Sequence, residues 1–150
     1  MELPNLNLPL FSFKTRKSEN RIEIFDAFRK KWVVLTPEEW VRQNFLTWLV
    51  ESKGYPVSLI ALERGLTVNK KERRFDAVVF NTNGNVLMLL EFKSPYVKLS
   101  AKTIDQIAAY NTVIKAKYLT ISNGILHYCA EINYDDNSYS FLNNIPLYNK

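Results

Sequence analysis

Apolar residues recur at helical spacing between Val41 and Leu49, whereas most of the remaining chain alternates or runs together as strands do. The helix opens at Thr36-Pro37-Glu38-Glu39: an N-cap, a proline at the first helical position and a glutamate three residues after the cap. Val41, Phe45, Trp48 and Leu49 then share a face, and Gly54-Tyr55-Pro56 supplies the stop. Ahead of the helix, alternation over 21–26 and 31–35 reads as a two-stranded hairpin. Residues 1–20, with Pro4, Pro9 and scattered apolar side chains, read as an irregular arm in front of a single domain over 21–150.

Strands are expected over 58–66, 74–80 and 86–93. The last two are joined by Asn81-Thr82-Asn83-Gly84-Asn85, a turn-forming stretch that makes them a β-hairpin. Both carry apolar residues on both faces (Ala77-Val78-Val79-Phe80 and Val86-Leu87-Met88-Leu89-Leu90), the pattern of central strands covered on both sides. A second helix over 101–114 turns Ile104, Ala108 and Ile114 inward, and strands over 117–122, 125–133 and 138–142 end the chain. The sum is an α/β fold: a mixed β-sheet flanked by helices, with an N-terminal hairpin and a C-terminal meander.

Composition narrows the chemistry. The single histidine, His127, excludes His-rich zinc sites, and the lone Cys129 excludes an internal disulfide and predicts a reducing, cytoplasmic setting. Only four glycines are present and no phosphate-binding glycine loop, so no motor ATPase is encoded. The longest aliphatic run is Val86 to Leu90, and Met1 to Phe13 has no basic leader, so neither a membrane span nor a signal peptide is expected. Twenty Lys and Arg against 15 Asp and Glu leave a net charge of +5, mildly favouring polyanionic partners. His127, beside Tyr128, reads as a packed strand residue, Cys129 as a small buried side chain, and Trp32, Trp40 and Trp48 as packing residues rather than base-stacking platforms.

Hairpin geometry gives the sharpest expectation. With the turn centred between Asn83 and Gly84, Asp76 faces Glu91, and directly opposed like charges about 5 Å apart are destabilising. Two such carboxylates at the end of apolar strands call for a cation. Lys93, two residues after Glu91, points to the same face. A divalent ion held by Asp76 and Glu91, with an ammonium alongside, suits metal-assisted hydrolysis of a phosphodiester. An Asp76–Lys93 pair with Glu91 solvated satisfies the same residues without a metal.

The run Arg73-Arg74-Phe75-Asp76-Ala77-Val78-Val79-Phe80, the hairpin, and Leu89-Leu90-Glu91-Phe92-Lys93-Ser94-Pro95 resemble the PD-(D/E)XK nuclease superfamily. More narrowly, the chain resembles the N-terminal nuclease domain of type I restriction enzyme R subunits. That likeness extends to Pro37-Glu38-Glu39-Trp40-Val41-Arg42-Gln43, Gly54-Tyr55-Pro56, Gln106 to Asn111 and Ser122-Asn123-Gly124, and so covers roughly residues 20 to 148. It implies a restriction-endonuclease-like fold and a deoxyribonuclease dependent on Mg²⁺, with Mn²⁺ as a substitute. Asp76, Glu91 and the Phe92 carbonyl would hold the metal, Lys93 would assist the water, and Gln106 with Tyr110 would form a Gln-x-x-x-Tyr signature near the site.

The resemblance also points to a first-helix glutamate. Glu39 fits Glu-x-x-Arg with Arg42 and equally a capping box with Thr36; Glu38, three before Val41, lies nearer the inward stripe. Glu63 on the first core strand is a weaker addition. Arg73, Arg74 and Lys98 are candidates for nucleic-acid contact, and Arg74 could instead pair with Glu72. The implied partners are DNA and a separately encoded motor or specificity subunit, since the motor that follows in R subunits has no counterpart in these 150 residues. Cutting both strands calls for two copies, as a homodimer or by transient pairing. The rival reading is a non-catalytic nucleic-acid-binding or docking module of the same fold.

Overall fold

A computed structural model describes residues 3–149 except Asn69, and leaves the side chains of Val68 and of 109–113 undescribed. Tyr110, half of the expected Gln-x-x-x-Tyr pair, therefore lies outside the described residues.

The chain first builds a small antiparallel sheet of three strands, β1 (Thr15–Ser18), β2 (Arg21–Asp26) and β3 (Lys31–Val34). The β2–β3 hairpin is as the alternation predicts, but β1 falls inside the segment expected to be irregular. Its sequence, Thr-Arg-Lys-Ser, is almost wholly exposed and has no apolar period to reveal it. What pairs it is a two-residue turn in which Glu19 and Asn20 both take positive φ (48° and 65°), the twist that tight hairpins favour. Arg16 then reaches across to Glu23 at 2.8 Å and stacks over Trp32.

Helix α1 (Pro37–Lys53) has the predicted ends. Thr36 Oγ1 accepts the Glu39 N–H at 3.0 Å, and Gly54 closes the helix in the left-handed conformation at φ 77°. After a single 3-10 turn at Val57–Leu59, six strands follow in spatial order β4 (Ile60–Val68), β5 (Lys71–Phe80), β6 (Val86–Phe92), β7 (Tyr118–Ser122), β8 (His127–Asn133) and β9 (Ser138–Phe141). Every neighbouring pair is antiparallel except β6–β7, which is parallel because α2 (Ala101–Ile114) carries the chain back between them.

The two-faced apolar character of β5 and β6 is used as expected. Val41, Phe45 and Leu49 of α1 pack with Ala77, Val79, Met88, Leu90 and Phe92. Ile104 and Ile107 of α2 pack with Val78, Leu89, Leu119 and Ile121. Successive residues of one strand thus serve opposite cores, with a helix over each.

The tryptophans pack. Trp40 meets Phe13 edge-on and directs its indole N–H at Pro4 O, Trp32 packs on Phe25, and Trp48 on Phe45. His127 lies against Phe45 and Trp48; its Nε2 donates to Asn7 O at 2.9 Å, so its Nδ1 accepts from Ser122 Oγ at 2.7 Å. Burial lowers the His127 pKa and pushes the Cys129 thiol up to about 11, so both are packing groups. Among the described residues no helix is long and apolar enough to cross a membrane.

Two glycines give a graded stability test. Gly54 and Gly124 both have positive φ (77° and 85°), but a Cβ at Gly54 meets open space, whereas at Gly124 it would lie 2.7 Å from Leu6 Cδ2 and 3.1 Å from Val41 Cγ2. Gly54→Ala is expected to cost about 1 kcal/mol, from backbone strain alone. Gly124→Ala, with overpacking added, is expected to cost about 3 kcal/mol. Urea denaturation of the two variants measures the difference.

Candidate active site

The β5–β6 hairpin has the register read from its turn: Ala77 faces Leu90, Val78 faces Leu89 and Val79 faces Met88, with a shift only beside the turn, where Phe80 faces Val86. Asn81 makes that turn by accepting the N–H groups of Asn83 and Asn85 on its side chain. The paired ladder stops at Ala77–Leu90, one step short of Asp76 and Glu91. There the Asp76 side chain takes over, its Oδ2 accepting the Phe92 N–H at 2.7 Å, a bond a main-chain carbonyl would otherwise receive. On the other edge of β6, the Lys93 N–H donates to Ser122 O at 2.9 Å. Alternate residues turn their backbone groups to opposite neighbours, so the Phe92 carbonyl faces the same side as its N–H, toward Asp76.

Glu91 shares the strand face of Leu89, on the α2 side, and is half-buried next to Asp76. Its carboxyl is pushed up to about 8: desolvation contributes most, followed by the charge of Asp76 and a hydrogen bond shared with it, while Lys93 opposes the shift. The Glu91 carboxyl, desolvated and beside the Asp76 charge, therefore favours its protonated form. Lys93 makes no ion pair with either carboxylate among the described residues, so the Asp76–Lys93 pair considered from sequence does not form.

A groove of about 760 Å³ opens over Glu91 and Lys93. Its walls are the 72–75 segment of β5, with Arg73 and Arg74, and the first turns of α2, with Thr103, Gln106 and Ile107. Gln106, exposed on α2, thus reaches the groove that holds Glu91 and Lys93, as do Arg73 and Arg74. Lys98 is exposed on the β6–α2 loop and is not among the groove residues. Arg74 pairs with Glu63 at 3.5 Å rather than with Glu72, whose carboxylate instead folds over the side-chain-free Gly65.

Behind the groove runs a chain of alternating charges. Arg42 of α1 approaches Asp76 Oδ1 with Nη2 at 3.4 Å and binds Glu39 Oε2 through Nη1. Glu39 Oε1 accepts from Gln43 at 2.8 Å and from Arg29 Nη2 at 2.5 Å. Arg29, on the turn between β2 and β3, is anchored by the fully buried Asp26 and reaches Glu63 Oε1 at 3.0 Å.

Several expectations change here. Of the two first-helix candidates, Glu39, the one ranked ahead from sequence, points inward, whereas Glu38, placed nearer the inward stripe, is 46% exposed and lies 3.6 Å from Arg42. The capping box is half made, because the Glu39 carboxylate goes to the arginines and Gln43 while the Thr36 N–H goes to Val34 O. Glu63 sits between Leu62–Ala77 and Arg64–Phe75, hence across from Asp76, at φ 53°, and its carboxylate faces Arg29 and Arg74. Sequence reasoning missed Arg42 as the partner of Asp76, and missed Arg29 altogether. The spacing of Glu39, Arg42 and Gln43 on one helix carries a signal for the first; nothing local marks Arg29.

The donor set suits a hard cation. Among the described residues no three His, Cys, Asp or Glu side chains form a ready-made metal cage. Asp76, Glu91 and the carbonyl beside them make a partial oxygen set of the kind Mg²⁺ completes with water.

A mixed sheet with a helix on each face and carboxylates at the open end of its central hairpin defines a restriction-endonuclease-like α/β protein. The chain belongs to the type I restriction enzyme R protein N-terminus family, whose model matches residues 37–146. Among solved structures it is similar to a fragment assigned as the HsdR subunit of a type I restriction enzyme from Vibrio vulnificus YJ016, with 16% identity and a TM-score of 0.51. That match covers 75% of this chain and 24% of the other, so the chain spans about a quarter of the length of the protein it matches. Among curated proteins, none matches the sequence.

Proposed function

We propose that this domain is a Mg²⁺-dependent endonuclease of the PD-(D/E)XK type that hydrolyses DNA phosphodiester bonds in the groove over Glu91 and Lys93. The observation that carries this reading is the half-buried Glu91 carboxyl set beside Asp76 at the end of the hairpin, with the Lys93 ammonium, which pairs with neither carboxylate, in the same groove as Glu91.

Asp76, Glu91 and the Phe92 carbonyl would hold Mg²⁺, which when bound supplies a Lewis acid to the phosphoryl oxygen and lowers the pKa of a water. Lys93 orients the attacking water and faces the negative charge that grows on the phosphoryl oxygens as the water oxygen bonds to phosphorus and the bond to the leaving oxygen breaks. Gln106, on the opposite wall, offers amide hydrogens to a phosphate oxygen. Arg73 and Arg74 lead the strand backbone into the groove, and Arg74 exchanges Glu63 for phosphate. The family supports a larger restriction assembly in which a motor and a specificity subunit deliver the DNA.

The test is incubation of the purified chain with linear and circular DNA in Mg²⁺, in Mn²⁺ and in chelator. Metal-dependent nicking or cutting supports the reading. DNA binding without cutting, unaltered by Lys93→Ala, would make the domain a docking module. Independently of cleavage, Arg73→Ala/Arg74→Ala is expected to weaken DNA binding about tenfold and to lower the slope of log affinity against log salt by about 2. Fluorescence anisotropy over a salt series measures both.

A further inference from the structure

We infer that Arg42 is a positioning residue that occupies one side of the Asp76 carboxylate as a resident cation, and so limits the site to a single divalent ion. The inference rests on the site reading above and deepens it.

A carboxylate offers about four lone-pair positions. Asp76 commits one to the Phe92 N–H on Oδ2 and one to Arg42 Nη2 on Oδ1, and a third lies toward Glu91. An ion held by Asp76 and Glu91 would use that third position. A second ion would need the side of Asp76 that the Arg42 guanidinium occupies. Arg42 has little freedom to leave. Its side chain is 9% exposed, Nη1 is bound to Glu39, and Glu39 is held in turn by Gln43 and Arg29. Its Nε–H is buried with no partner, the mark of a guanidinium held in place by its two terminal nitrogens while the third donor goes unsatisfied. Glu39, the first-helix carboxylate that could have completed a second ion's ligands, has both oxygens on cations or Gln43.

The experiment is Mn²⁺ binding to the full chain, by titration calorimetry and by the electron paramagnetic resonance signal of free Mn²⁺, with circular dichroism to check folding. Wild type is expected to take one ion, and Asp76→Asn none. Arg42→Met opens the second side and is expected to take two. Glu39→Gln, which leaves the whole Arg42 charge on Asp76, keeps one ion and weakens it by about tenfold, the size of effect an outer-shell partner has on metal affinity. Two ions in wild type, one in a folded Arg42→Met, or undiminished affinity in Glu39→Gln overturns the inference while leaving the metal site standing. Should Arg42→Met fail to fold, wild-type stoichiometry and Glu39→Gln decide. If wild type binds no Mn²⁺, or Asp76→Asn binds it equally well, the site reading itself fails.

Discussion

Lys93→Ala is expected to reduce Mg²⁺-supported DNA cleavage by roughly 10² to 10³-fold, the range for removing one preorganised donor from a developing oxyanion. The loss falls on kcat, since the ammonium meets the growing charge more strongly than it meets bound DNA. Stability should barely move. Lys93 pairs with neither carboxylate, and its structural bond, the backbone N–H to Ser122 O, survives the substitution. A change within about 0.5 kcal/mol is expected by urea denaturation. Mn²⁺ affinity should rise slightly, because the substitution removes a positive charge next to Glu91. Lys93→Arg should not restore the rate, as a planar fork cannot replace a compact ammonium in one position beside a water. Cleavage unchanged in Lys93→Ala would remove this residue from the chemistry.

Much of the architecture that holds Lys93 was legible in the sequence. The ends of α1 were readable because caps are local: Thr36 and Gly54 act on the helix turns next to them. The register of β5 on β6 was readable because a short turn fixes which residues face each other, and Asp76 does meet Glu91. The end of the ladder was not. Asp76 accepts the Phe92 N–H in place of a backbone carbonyl, and no periodicity reports a side chain substituting for main chain. Glu39 was hard to separate from Glu38 because adjacent helix positions differ by only about 100°, and what turns Glu39 inward is Arg29, ten residues away on another sheet. The strand β1 was invisible for a related reason: its pairing is made by main chain and by a turn whose left-handed residues are not glycine.

The raised Glu91 carboxyl makes the second large effect one of pH. Glu91 has a folded pKa near 8 against an ordinary carboxyl value near 4.5, chiefly through desolvation and then through Asp76. A raised folded pKa means that the native state binds more protons than the unfolded chain across that window. Stability from this group is therefore complete below about pH 4.5 and is lost as pH rises through about 8. The metal-free protein should melt lower at pH 8 than at pH 5.5, and Glu91→Gln, which cannot ionise, should flatten that slope. Metal binding runs the opposite way, because the ion must displace the proton. Below pH 8 the apparent Mn²⁺ affinity should gain close to tenfold per pH unit, or about 50-fold between pH 6 and pH 8 for one proton released. Calorimetry in buffers of different ionisation enthalpy counts that proton directly. Mg²⁺ should accordingly raise the melting temperature more at pH 8 than at pH 5.5, restoring the stability that ionisation removes. Mn²⁺ affinity independent of pH over this range would mean that Glu91 carries no proton for the ion to displace, and the case for a cation between it and Asp76 would go with it.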